Sequence, residues 1–307
     1  MHGIMFHHFH DNIKHNSTQG SIDQDKFYKL LRFIGKKNIL NPDSFINKIL
    51  NNQKESKSIC LTFDDGIKSQ IDVALPVLQD LKIKAFFFIY SSPFEGKSDK
   101  LEIYRYFRHS YFNNIDNFYT SFFKYINLDL KKYFRFKEKK ILHFKKISPH
   151  YTFNDIKFRL IRDEFLNRND YEKIMHRMFQ EKKFNPKKIE KKLYFGLSDI
   201  KTLTNSGHTI GLHTHSHPTN IKLLNYKKQK EEYSKCLNIL SKKLNIKKNI
   251  LNSMSHPCGS YNNDTIKILK KLKIKIGFDQ NMLKLKKRNF NLLIPRVDHA
   301  DLIKLIS

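Results

Sequence analysis

The stretch Ser58-Ile59-Cys60-Leu61-Thr62-Phe63-Asp64-Asp65-Gly66 constrains the chain most tightly. Its first six residues have the β-branched, aromatic and apolar content of a buried strand, and the run stops at two carboxylates and a glycine that permits a sharp turn. Charges at a strand end are tolerable only when solvated, hydrogen-bonded or bound to a cation. Successive side chains on an extended chain point to opposite sides, so Asp64 and Asp65 can take different tasks, one holding a cation and the other moving a proton. Asp-Asp-Gly is also an ordinary way to leave a strand, and by itself it does not separate chemistry from a turn.

A second stretch bears on the choice: Gly207-His208-Thr209-Ile210-Gly211-Leu212-His213-Thr214-His215-Ser216-His217-Pro218. His213 and His217 are four positions apart, a spacing that on a helical turn puts two imidazoles on one side while His215 faces elsewhere. Two imidazoles and one carboxylate make a three-ligand site with a position left for water, the pattern of catalytic rather than structural zinc. Single histidines are usually packing or surface residues. Three in five positions after the strand-like Thr209-Ile210-Gly211-Leu212 are better read as ligands.

Thr62-Phe63-Asp64-Asp65-Gly66 and His213-Thr214-His215-Ser216-His217-Pro218 resemble the first two motifs of the polysaccharide deacetylases with a NodB homology domain, carbohydrate esterase family 4. Ser255-His256-Pro257-Cys258-Gly259-Ser260-Tyr261-Asn262 resembles the third, and the likeness runs over roughly 59–90 and 197–278. The resemblance implies an α/β fold, a distorted (β/α) barrel with a helical insertion. It implies a hydrolase of linear amide bonds that removes an N-acetyl group from an amino sugar or glycan in cell-envelope glycan biosynthesis, with an anionic or lipid-linked glycan among the expected substrates. By the same resemblance Asp64 is the general base, and Asp65, His213 and His217 hold a divalent metal, for which zinc suits the donor set. The backbone N–H of Cys258, in the Pro257-Cys258-Gly259 turn at the substrate, faces the oxyanion, and the thiol is expected to be a small buried filler.

Two positions depart from the family pattern. The arginine that pairs with the catalytic Asp in the third motif is replaced by Ser255, and Arg296, at another strand end, is the candidate to supply that cation. The C-terminal Leu-x-x-His motif, whose His protonates the leaving amine, has no visible counterpart. His299 is the nearest replacement in sequence order, with His256 and His10 as rivals.

The rest of the chain reads as alternating strands and helices. Gly3-Ile4-Met5-Phe6 is a first strand leading into His7-His8-Phe9-His10-Asp11, from which His8 and His10 are expected to line the pocket. Ser21-Ile22-Asp23-Gln24 has the form of a capping box before a helix, a second helix begins near Asp43, and 71–81 has helical rhythm despite Pro76. A strand over 84–90 follows, so the Asp pair sits at a strand end in a parallel α/β repeat, where functional groups collect. Later come a helix through Ile200 and Leu203, a Lys-rich helix over 226–244, a helix over 264–272, a strand over 274–278, and a strand-like run ending at Asp298-His299.

Between 101 and 192 the texture becomes basic and aromatic, as in Lys131-Lys132-Tyr133-Phe134-Arg135-Phe136-Lys137, and carries no motif. Amphipathic helices with Lys outside and Phe inside account for it, and the segment is expected to be an insertion that acts as a lid or groove wall within one catalytic domain of 307 residues. Single-stranded nucleic-acid binding by stacking would give the same composition. The 58 Lys and Arg against 29 Asp and Glu, a net charge of +29, point to an anionic partner. Lys, Asn, Ile and Phe are all abundant, however, so biased composition can produce this charge without a partner, and no specific nucleic acid is expected. The other classes that remain are a sugar-binding member of the fold without turnover and a basic nucleic-acid-binding protein. Cys60, Cys236 and Cys258 are too few for a disulfide framework, and the longest apolar run, 85–90, is far too short to span a bilayer. The expectation is a cytoplasmic protein, with peripheral membrane contact through the basic surface left open.

Overall fold

The computed structural model describes residues 1–53, 58–97, 100–147, 151–280 and 291–306. The chain forms two compact units, Met1–Asp99 with Glu190–Ser307, and Lys100–Ile189.

In the first unit seven strands form one sheet in the order β6-β5-β4-β3-β2-β1-β7. They are β1 (His2–Phe6), β2 (Ile59–Phe63), β3 (Phe86–Ile89), β4 (Thr209–Leu212), β5 (Ser253–Ser255), β6 (Ile276–Phe278) and β7 (Arg296–Asp298). Every neighbouring pair is parallel. The sheet edges nearly meet, because Phe278 in β6 bridges to Ile294 just before β7, where the Ile294 N–H donates to Gly277 and the Asp279 N–H donates to Ile294, both at 2.8 Å. This is the distorted (β/α) barrel expected from the sequence.

Parallel strands need crossovers, and helices Gln24–Ile34, Pro42–Leu50, Leu75–Asp80, Leu197–Asn205, Tyr226–Leu244 and Asn263–Lys271 lie between them in the chain. Strands covered on both faces lose the alternation of apolar and polar residues. In β3, Phe87 and Ile89 join the cluster that holds Leu78, Leu203 and Tyr233, while Phe86 and Phe88 pack with Phe45, Ile276, Phe278 and Ile294. The first helix starts at Asp23, whose side chain accepts from the Lys26 N–H, and not at the Ser21 that the capping-box pattern suggested. The Ser21 hydroxyl is engaged by the Thr18 carbonyl and His10. Pro76 is accommodated because a π-turn over Gln70–Ala74 precedes Leu75–Asp80 and leaves the proline in the first turn.

The second unit is helical, with Lys100–Ser110, Ile115–Phe123, Leu130–Phe136, Glu138–Ile147, Phe153–Leu160 and Arg168–Glu181. Its core is aromatic: Phe107 meets Phe179 at 4.6 Å between ring centroids, and Phe122 meets Phe158 at 4.9 Å. Among the described residues no helix is long and apolar enough to cross a membrane.

Candidate active site at the strand ends

Asp64 directly continues β2, its N–H donating to Phe6 of β1 at 3.0 Å. Asp65 then turns into the left-handed region at φ 76°, followed by Gly66 at φ 62°. A non-glycine residue there carries strain that its surroundings must hold, and such positions cluster at functional sites. The turn swings the two carboxylates into different environments, and both are buried.

Asp64 faces Arg296. The Nη1 and Nη2 groups donate to its two oxygens at 2.8 and 2.7 Å, and the Ser255 hydroxyl donates to Oδ2 at 3.0 Å. Arg296 is fully buried, and its other donors reach the Asp279 carbonyl, Thr62 Oγ1 and Ser255 Oγ. A Cβ at Gly3 would come within 3.0 Å of the Arg296 Cγ, so the glycine in β1 leaves room for the arginine stem. Burial alone would raise the Asp64 carboxyl, but the Arg296 guanidinium more than reverses this and holds it below the usual carboxylate range. The guanidinium beside Asp64 comes from Arg296 at the start of β7, and the Ser255 hydroxyl is bonded to both groups.

Asp65 faces His213 and His217, whose Nε2 atoms lie 3.2 and 3.3 Å from its Oδ1. His213 Nδ1 lies 2.9 Å from the Ser255 carbonyl, which can only accept, so Nδ1 carries a proton and, in the neutral ring a metal requires, Nε2 presents its lone pair toward Asp65. Asp65 Oδ1 is buried and receives no hydrogen bond. Among the described residues, Asp65, His213 and His217 form the one cluster with ligand atoms all within 4.8 Å of one another. Separations of 3.2–3.3 Å match the edge of a tetrahedron of ligands about 2.0–2.1 Å from a central ion. Lone pairs facing one another in a buried pocket repel unless a cation lies among them, and the donor set fits a divalent metal. The His pair is not on a helical turn, as its spacing had suggested. The segment is a loop in which Thr214 (φ 68°) and His217 (φ 54°) are both left-handed.

The other expected residues fall as follows. His7, the first residue after β1, has its Nε2 3.9 Å from Asp64 and 4.0 Å from Asp65. Its position directly after β1 was the available signal, whereas the residues expected to line the pocket were His8 and His10. His8 stacks on His7 at 6.1 Å between ring centroids, and His10 is turned to Ser21, 2.8 Å from its hydroxyl. His299 is buried against Phe6, its Nδ1 3.2 Å from both the Met5 carbonyl and the Asp298 carboxylate. Burial would raise Asp298, and the hydrogen bond from His299 outweighs it and holds the carboxyl low. His256 is fully buried, with Nε2 on the Leu292 carbonyl and its ring against Tyr261. Pro257, Cys258 and Gly259 form a turn directly after β5, with Cys258 at φ 50° and Gly259 at φ 62°. The Cys258 thiol is exposed, which corrects the expectation of a buried filler: the left-handed turn points the side chain outward. Gln70, not anticipated, donates to the carbonyls of His7 (2.9 Å) and Asp64 (2.6 Å) and ties the ends of β1 and β2 together.

A sequence model of the family described as polysaccharide deacetylase matches residues 51–109 and 166–277, together more than half of the chain. No curated protein sequence matches. The fold is similar to that of the Streptococcus pyogenes deacetylase PplD in complex with acetate, with a TM-score of 0.55 and 15% identity over 100% of this chain and 98% of that one. It is also similar to IcaB from Ammonifex degensii (TM-score 0.54, 14% identity, 97% and 91% covered). A third similar structure is the de-N-acetylase from Aggregatibacter actinomycetemcomitans (TM-score 0.54, 12% identity, 100% and 99% covered). At these identities the likeness is one of fold.

Proposed function

We propose that this chain, which belongs to the polysaccharide deacetylase family, is a metal-dependent hydrolase that removes the N-acetyl group from an amino sugar of a glycan, leaving a free amine and acetate. The observation that carries the reading is the pairing of two adjacent carboxylates in opposite environments, Asp65 among the two imidazoles and Asp64 clamped by Arg296. The similar structures give it context, since one was solved with acetate and another is named a de-N-acetylase.

Asp65, His213 and His217 would hold the ion, zinc by its preference for two imidazoles and one carboxylate. A divalent ion there supplies Lewis-acid polarisation of the acetyl oxygen and activation of water. Asp64 accepts the proton of the attacking water. Arg296 and Ser255 keep that carboxylate ionised and aimed, because a buried carboxylate left alone would bind a proton and cease to be a base. The N–H of Cys258 contributes a donor to the tetrahedral oxyanion. His299, held through Nδ1 by Met5 and Asp298, returns a proton to the departing amine. The strongly basic surface suits an anionic glycan of the cell envelope.

The test is mass-spectrometric detection of acetate loss from free, nucleotide-linked, lipid-linked and polymeric N-acetylated amino sugars, with zinc supplied. Loss of one acetyl group from at least one class is expected. No release from any class would contradict the reading.

A further inference from the structure

The loop carrying His213 and His217 holds two left-handed non-glycine residues, Thr214 and His217. Each such residue costs on the order of 1 kcal/mol or more, so the shape persists only if neighbouring groups impose it. The groups that do so are unrelated to the ligands. Glu232 lies on the Tyr226–Leu244 helix, at the edge of the stripe that buries Gln229, Tyr233 and Cys236. One of its carboxylate oxygens accepts the N–H groups of His215 (3.0 Å) and Ser216 (2.8 Å), and the other accepts the Ser216 hydroxyl at 2.7 Å. On the other side of the loop, Ser92 N–H donates to the His215 carbonyl at 2.8 Å, and Ser91 Oγ bonds His215 Nδ1 at 2.9 Å. The third histidine of the motif is therefore engaged in fastening the loop.

We propose that Glu232 is a positioning residue for the metal: by gathering the two N–H groups between His213 and His217 it sets the separation of the two imidazoles around Asp65. This rests on the metal reading above. His213 is already directed by the Ser255 carbonyl, and its N–H continues the ladder to Ile89 at 3.1 Å. His217, beyond the bend, has its ring beside Tyr90 at 5.3 Å between centroids, and its backbone follows the segment that Glu232 grips. An amide side chain can make the same contacts, since its oxygen accepts both N–H groups and its NH2 donates to the Ser216 oxygen.

The experiment compares wild type, Glu232→Ala, Glu232→Asp and Glu232→Gln by zinc affinity in competition with a chelator and by amide hydrogen exchange of 213–217 in the metal-free chain. Glu232→Ala should bind zinc about 10- to 100-fold more weakly, the usual effect of losing a group that orients a ligand. Its loop amides should exchange faster while those of β2 and β3 do not change. Glu232→Gln should stay within about threefold of wild type. Glu232→Asp, a milder change that serves if the alanine variant does not fold, should fall between. Unchanged zinc affinity in the alanine and aspartate variants, or equal loss in alanine and glutamine, would overturn the inference. A wild-type chain that takes up no zinc would overturn the metal reading and this inference with it.

Discussion

Asp64 is clamped by Arg296 and Ser255 while Asp65 faces His213 and His217, so turning either carboxylate into an amide should have distinct consequences. Asp65→Asn should lose metal and activity together. Asp64→Asn should keep the fold and the metal while acetate release falls by about two to four orders of magnitude, the usual range for a general base. Zinc content and turnover measured on both variants check this, and metal loss confined to Asp64→Asn would mean the two roles are exchanged. Arg296 depresses the Asp64 carboxyl, so the base stays ionised well into the acid range. In Arg296→Lys the two-pronged contact is lost, the carboxyl rises, and the acid limb of the pH–rate profile should move to higher pH. At this scale Asp64, Asp65, His213 and His217 could be singled out from residue type alone, and the structure brings Asp65, His213 and His217 together, though not by the helical turn their spacing suggested. His7, not His8 or His10, lies beside the carboxylates because β1 stops at Phe6 and His10 is drawn to the Ser21 hydroxyl.

The C-terminal strand ends gather most of the site, His7 after β1, the Asp pair after β2, the histidine loop after β4 and Ser255 closing β5, whereas Arg296 opens β7 instead of ending it and reaches Asp64 by the length of its side chain. Most helices and strands were legible from their periodicity, and the Lys-rich helix agrees at both bounds. The loop between His213 and His217 was not, since i, i+4 spacing reads as a helical turn and neither Thr214 nor His217 advertises a left-handed backbone. The same holds for Cys258, whose φ of 50° sends an apolar-looking thiol outward. The Arg296–Asp64 pair joins residues 232 apart, a contact that closing the barrel creates and that no local pattern encodes. Asp64, Asp65, His213, His217, Ser255 and Arg296 all lie in the unit Met1–Asp99 with Glu190–Ser307. Replacing 100–189 by a short linker should therefore leave zinc binding at about one equivalent by elemental analysis, and loss of the metal would contradict the placement of the site.

For the molecule as a whole, acid sensitivity follows from a histidine far from catalysis. His208 is buried between β3 and its own turn, accepting the Ala85 N–H at 3.2 Å, and burial pushes its pKa down to about 4. The unfolded chain protonates this ring near pH 6.5 while the folded chain resists until about 4, so the unfolded state binds more protons in that window. Stability should fall as pH drops from about 6.5 to 4, by on the order of 3 kcal/mol from this group, and level off below. Thermal unfolding across that range checks it, and His208→Gln should reduce the slope without removing it, because burial also pushes His256 down to about 4. The central claim, that one divalent ion at Asp65, His213 and His217 enables amide hydrolysis, belongs to this scale too because it is a statement of stoichiometry. Its most direct test is the rate of acetate release from an N-acetylated amino-sugar oligomer as zinc is titrated into the metal-free chain. The rate is predicted to rise from near zero and saturate at about one equivalent of zinc. A full rate before any zinc is added, or no release at any zinc level, would contradict it.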